Sequence, residues 1–244
     1  MRLNKYLSEQ GICSRREADR LIEAAQVTVD GRIAVMGEQV TGSERIICQG
    51  KTVGEAAGTR KVKPVLLVVN KPRGIVCTTS DKDRAPNIID LLKYPSRIYP
   101  VGRLDKDSEG LLLMTNQGDL ANQIMHAGSL HEKEYIVTVD QPYNAAFVKK
   151  MQEGVELKEL GEVTRPCQME AIGKKEFRIV LTQGLNRQIR RMCEALGYRV
   201  VSLKRVRIMN IHLGKLKTGD LRKVTPREWQ ELESMLQSMG KEEE

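Results

Sequence analysis

Aromatic residues are scarce. Phe, Trp and Tyr together make up 4% of the 244 residues. That excludes a platform on which many successive bases stack, because each base would need its own ring. Cysteines are few and scattered. Cys13, Cys48, Cys77, Cys167 and Cys193 form no CxxC pair, and an odd count closes no disulfide framework. They read as reduced thiols. The three histidines, His126, His131 and His212, have no ligand spacing with them, so no zinc site is expected. Long apolar runs are also missing. The run "VLLVVN" from Val65 has the length of a buried strand and falls far short of a membrane span. The opening "MRLNKYLSEQ" lacks a signal peptide's apolar segment. These absences predict a soluble, cytoplasmic protein with no membrane partner and no metal.

What is present is charge. Hydrophobic residues reach 40% and charged residues 30%, enough for a real core under a well-solvated surface. The net charge is +8. A basic balance favours polyanions, chiefly nucleic acid. The distribution sharpens this: "RREADR" lies near the start, and "RQIRRM" and "LKRVRIM" lie near the end.

The first fifty residues read as a small module. "LNKYLSEQG" is a short helix closed by Gly11 at the position after its cap. "SRREADRLIEAA" opens with a capping box, Ser14 and Glu17. Ala18, Leu21, Ile22 and Ala25 share one helical face, and Arg16 and Arg20 share another. "VTVDGRIAV" is a hairpin about Asp30-Gly31, and "ERIICQG" adds a strand. Residues 52–63 are polar and poor in large apolar side chains, which reads as a linker. A larger domain spans 64–240, followed by the solvated tail "KEEE". Its strands and helices mix without steady alternation, which predicts an α+β class with a mixed, mostly antiparallel central sheet flanked by helices. "VLLVVNKPRGIVCTTS" reads as two strands broken at Lys71-Pro72 and Gly74. "NRQIRRMCEALGY" reads as an amphipathic helix with Ile189, Met192 and Leu196 inward. "TPREWQELESMLQS" carries its own capping box, Thr225 and Glu228. No heptad pattern appears, so a monomer is expected.

The chemistry concentrates in "GRLDKDSEG", Gly102 to Gly110. Asp105, Asp107 and Gly110 match part of an EF-hand calcium loop. The closing glutamate of that template would fall at Asn116, the ninth position is the apolar Leu113, and the preceding "YPVGR" reads as a strand. A calcium site is therefore rejected. A solvated turn is the plain alternative. Against it, Asp105 lies between two apolar strands, with Arg103 two residues before it on the same face of an extended chain. A carboxylate with a cation partner at a strand end can stay ionised as a nucleophile.

"PVGRLDKDSEGLLLMTN" resembles the central motif of RNA pseudouridine synthases of the ribosomal small-subunit-synthase type. "NKPRGIVCT", "KEYIVTV" and "LTQGLNRQIRRMCEALGYRVVSLKRVRI" resemble further motifs of that family. The first fifty residues are similar to the alpha-L RNA-binding module. The resemblance implies that Asp105 is the catalytic nucleophile, Tyr135 the active-site tyrosine and Arg190 the partner of the aspartate. Arg187 and Arg191 are near rivals of Arg190, and Asp107 is the nearest rival of Asp105. Arg2, Lys5, Arg15, Arg16, Arg20, Arg103 and Arg187 are the expected RNA contacts. The implied activity is isomerisation of specific uridines in ribosomal RNA, chiefly of the large subunit. No cofactor is implied, and transfer RNA is a secondary partner. The rival reading is a non-catalytic RNA-binding factor of ribosome assembly.

Overall fold

The computed structural model describes residues 1–54, 63–78, 85–126 and 130–239. Most of the expected linker, residues 55–62, and the "KEEE" tail lie outside these. Two compact units emerge. One comprises Met1–Val65 with Pro95–Arg97 and Asn116–Gly118. The other holds the remaining residues.

In the first unit, α1 (Leu3–Glu9) and α2 (Arg15–Glu23) pack on a four-stranded antiparallel sheet. The capping box forms: the Glu17 N–H donates to Ser14 Oγ at 3.0 Å. Leu3, Leu7, Ala18, Leu21 and Ile22 bury one face of the helix pair. Each such side chain contributes about 1.5–3 kcal/mol of transfer free energy. Ala25 lies outside this face, because α2 ends at Glu23 and Ala25 turns left-handed at φ 55°. The sheet runs β1 (Val27–Val29), β2 (Arg32–Ile33), β3 (Ile46–Cys48) and β4 (Lys51–Val53), in the order β2-β1-β3-β4. Asp30 and Gly31 both take positive φ, which the tight hairpin requires. Thr52 and Val53, read from sequence as linker, complete this sheet instead: Val53 pairs with Ile46 and is buried.

The second unit is built on one nine-stranded sheet. Its elements in chain order are β5 (Leu66–Lys71), α3 (Ile88–Leu92), β6 (Tyr99–Val101), β7 (Glu109–Thr115), α4 (Gly118–Met125), β8 (Lys133–Val139) and α5 (Ala145–Glu153). A short ribbon of β9 (Glu156–Leu157) and β10 (Glu162–Val163) follows. Then come β11 (Gln168–Ala171), β12 (Glu176–Leu181), α6 (Gln188–Ala195), β13 (Val200–Ile208), β14 (Ile211–His212), β15 (Leu221–Lys223) and α7 (Pro226–Met239). The sheet order is β11-β12-β8-β13-β7-β5-β15, with β14 on β13 and β6 on β7. Only the short β13–β7 contact is parallel among the described pairs. The mixed, mostly antiparallel α+β class read from the sequence holds.

Two apolar clusters support the sheet. One joins Val137, Phe177, Ile179 and Leu203 to Phe147 and Met151 of α5 and to Ile189 and Met192 of α6. The other joins Leu66, Val68, Leu111 and Leu113 to Leu120 and Ile124 of α4 and Leu232 of α7. Five of the nine aromatics, Tyr135, Tyr143, Phe147, Phe177 and Tyr198, serve the first cluster. Phe147 lies 5.4 Å from Tyr143, 5.7 Å from Phe177 and 4.4 Å from Tyr198, ring centre to ring centre. In the second half of "VLLVVNKPRGIVCTTS" the described residues, up to 78, form no strand: Val76 makes a single bridge to Asn87. Gly74 instead donates its N–H to the Lys106 carbonyl at 2.7 Å, tying this segment to the acidic loop.

Candidate active site

The loop between β6 and β7 carries Asp105, and several independent contacts hold it. The Ser108 N–H donates to the Asp105 carbonyl at 3.1 Å, closing a turn. Lys71, at the end of β5, is wholly buried. Its ammonium donates to the carbonyls of Pro72 at 3.0 Å, Asp105 at 3.1 Å and Ser108 at 2.7 Å. All three ammonium protons are thus satisfied, which makes a buried cation tolerable. Burial lowers the Lys71 pKa, and Cys77, Asp107, Asp105 and Glu109 oppose that. Gly110 ends the loop at φ 104°. A Cβ there would overlap the Arg205 backbone carbonyl, so only glycine lets β7 approach β13 this closely.

The carboxylate faces two arginines from the start of α6. Arg187 Nη1 lies 3.5 Å from Asp105 Oδ2, and Arg190 Nε lies 3.9 Å from the same oxygen. Arg187 is the N-cap and Arg190 follows one turn later, so both project to one side. Arg187 holds φ 52°, a left-handed conformation that costs a non-glycine residue about 1 kcal/mol. Arg190 is only 6% exposed. It donates to the Val200 carbonyl at 3.3 Å, the Asp107 carbonyl at 3.2 Å and Ser108 Oγ at 3.2 Å. Its Nε makes no hydrogen bond and points toward Asp105.

Asp107 shares both arginines, at 3.4 Å from each. Burial opposes its ionisation, but Arg190, a backbone N–H and Arg187 outweigh it and hold the carboxyl below its usual range. Asp107 therefore balances the arginine pair and is no freely solvated turn residue. Arg103, expected beside Asp105, is exposed and forms no ion pair among the described residues. The β6 strand ends at Val101, so the extended-chain argument for that pairing fails.

Tyr135 stands in β8, half-buried against the α6 side of the sheet. Register aligns it with the site: Tyr135 pairs with Arg205, Arg205 with Gly110, and Gly110 with Lys71. An open cleft of about 470 Å³ adjoins the loop, lined by Arg73, Gly74, Lys106, Asp107, Arg190 and Val201. Arg2, Arg15, Arg16 and Arg20 are exposed in the first unit, and Lys5 pairs with Glu9 at 3.6 Å. Sequence reasoning missed Lys71, Ser108 and Arg205. A lysine closing an otherwise mostly apolar strand was the available signal for Lys71.

A carboxylate faces two arginines at the end of a mixed, mostly antiparallel sheet, and the chain also carries a small unit with exposed basic residues on its helices. Residues 65–195 match the family of RNA pseudouridylate synthase, and residues 1–46 match the S4 domain. The chain belongs to that synthase family, whose members are isomerases that turn uridine into pseudouridine in RNA. It is 47% identical to the dual-specificity RNA pseudouridine synthase RluF of Salmonella typhi, over 99% of this chain and 81% of that one. It is 35% identical to ribosomal large subunit pseudouridine synthase B of Bacillus subtilis (strain 168), over 96% of each. A crystal structure of a pseudouridylate synthase aligns with a TM-score of 0.69 at 29% identity, covering 95% of this chain and 99% of that one.

Proposed function

We propose that this enzyme isomerises uridines of ribosomal RNA, chiefly of the large subunit, in the cytoplasm, with Asp105 as its nucleophile. The observation that carries this reading is the Asp105 carboxylate, held in a pinned turn before Arg187 and Arg190. The large-subunit name of the relative from Bacillus subtilis supports the substrate class. The dual specificity named for RluF supports a second RNA substrate, for which transfer RNA is our candidate.

The reaction breaks a C–N bond and makes a C–C bond. The target uridine first leaves its stack, at a cost of a few kcal/mol. Arg103, exposed and without an ion pair among the described residues, contacts the displaced backbone or fills the gap. Asp105 holds the ribose C1′ while N1 departs with the bonding pair. The base turns, its C5 bonds to C1′, and Asp105 is released. Tyr135 stacks on the base and assists loss of the C5 proton, while N1 gains one. Arg190 and Arg187 hold the Asp105 carboxylate in place. The 3.9 Å approach of Arg190 Nε is an ion-pair distance, and it shortens when RNA excludes water. Arg2, Lys5, Arg15, Arg16 and Arg20 grip phosphates, which gives affinity and orientation without reading sequence.

The test is release of tritium from C5-labelled uridine in undermodified cellular RNA. The parent protein releases label, and Asp105→Asn loses at least a thousandfold in rate while still binding RNA. No release from any such RNA, or equal rates for the two proteins, overturns the reading.

A further inference from the structure

The reaction as described leaves two cations unused, the buried Arg205 and the half-buried Lys133. Arg205 is 3% exposed. Its Nε donates to the Leu111 carbonyl at 2.7 Å. Its Nη2 is buried with no acceptor, and no carboxylate among the described residues lies within ion-pair reach. A guanidinium buried with an unmade bond is costly, and native structures keep few such groups. Lys133 makes only a long bond, 3.4 Å, to the His131 carbonyl. Burial lowers the Lys133 pKa, and the Arg205 charge lowers it further. Neither cation has an ion pair among the described residues.

Arg205 belongs beside the chemistry. Arg205 is the register partner of Tyr135 on one side and of Gly110, the end of the Asp105 loop, on the other. Burial raises the Cys77 thiol, a Leu104 N–H bond opposes that, and Lys71, Arg205 and Arg103 pull it down further. Arg205 therefore lies near Cys77, whose sulfur receives the N–H of the residue preceding Asp105.

We propose that Arg205 and Lys133 form an anion-receiving floor for the detached uracil, Arg205 donating Nη2–H to a base carbonyl. This rests on the function proposed above. When the N1–C1′ bond breaks, its electron pair stays with the base and spreads over N1 and the two carbonyl oxygens. The floor holds that charge while the base turns. Forming the C5–C1′ bond consumes the pair, and loss of the C5 proton with gain of one at N1 completes the product. Preorganised donors aimed at developing charge are among the largest catalytic effects in a buried site.

Fluorine at C5 withdraws electrons and makes the base a more stable anion, so it substitutes in part for the floor. The experiment follows single-turnover cleavage of the N1–C1′ bond in a ribosomal RNA transcript carrying uridine or 5-fluorouridine, whose C5 keeps its fluorine and has no proton to lose, with the parent, Arg205→Met, Arg205→Lys and Lys133→Met. Arg205→Met is expected to lose about a hundredfold on uridine. The loss should shrink to about tenfold on 5-fluorouridine, with RNA affinity unchanged, and Arg205→Lys should recover much of the rate. Equal losses on both RNAs, or parental rates, overturn the proposal. Should Arg205→Met lower the melting temperature severely, Lys133→Met decides by the same comparison. A parent that makes no pseudouridine overturns the function itself, a separate outcome.

Discussion

Two sets of cations in this chain use similar side chains in opposite ways. Arg15, Arg16 and Arg20 of α2 are exposed, and Arg20 holds only the adjacent Glu17 at 2.9 Å. Lys71, Arg190 and Arg205 are buried and fixed by backbone carbonyls and, for Arg190, a buried hydroxyl. An exposed cation is hydrated, mobile and screened by salt, which suits contact with a variable phosphate backbone. A buried cation costs desolvation and repays it only through fixed partners, which suits a carboxylate that must be held in place. Position in the fold, and not residue type, divides grip from chemistry.

Lys71→Met tests the buried set most severely. It leaves three carbonyls without their donor and loosens the Asp105 turn. We expect a loss of about 2 kcal/mol in stability by chemical denaturation and about a hundredfold in kcat, with RNA affinity retained. If the stability falls while kcat holds, Lys71 supports only the fold and the contrast breaks. Neutralising the exposed set, with Arg15, Arg16 and Arg20 changed to Gln, should instead weaken RNA binding about tenfold near physiological salt. The slope of log affinity against log salt should fall by about one per lost phosphate contact, with kcat unchanged. A salt slope equal to the parent's would remove α2 from the RNA interface. The mildest change is Ser14→Ala. It removes the α2 cap and should cost the first unit about 1 kcal/mol, read as a shift in its unfolding midpoint. Activity at saturating RNA should not move.

Much of the local structure was legible in the chain. Ser14 with Glu17 and Thr225 with Glu228 both form their capping boxes, because each needs only residues three apart. Asp30-Gly31 turns as read, because its positive φ values are a local requirement. Errors arose where a neighbour in sequence was taken for a neighbour in space. Arg103 was assigned to Asp105 because it stands two residues away, yet the strand ends before it. "IVCTTS" has the composition of a strand, but the described part of it meets only one bridging partner. Asp107 was read only as the nearest rival of Asp105, because its arginines lie in α6, far along the chain.

The sequence by itself determined where helices start, which residues bury, that the chain meets a polyanion, and which loop holds the proposed nucleophile. These depend on short-range geometry, periodicity and net charge. Only the tertiary structure decided which cations serve that carboxylate. β13 inserts between β7 and β8, so Arg205 stands between Gly110 and Tyr135, while α6 carries Arg187 and Arg190 to the Asp105 loop. Coulomb attraction and hydrogen bonding act over a few ångströms, and segments far apart in the chain reach that range only when strand register brings them there.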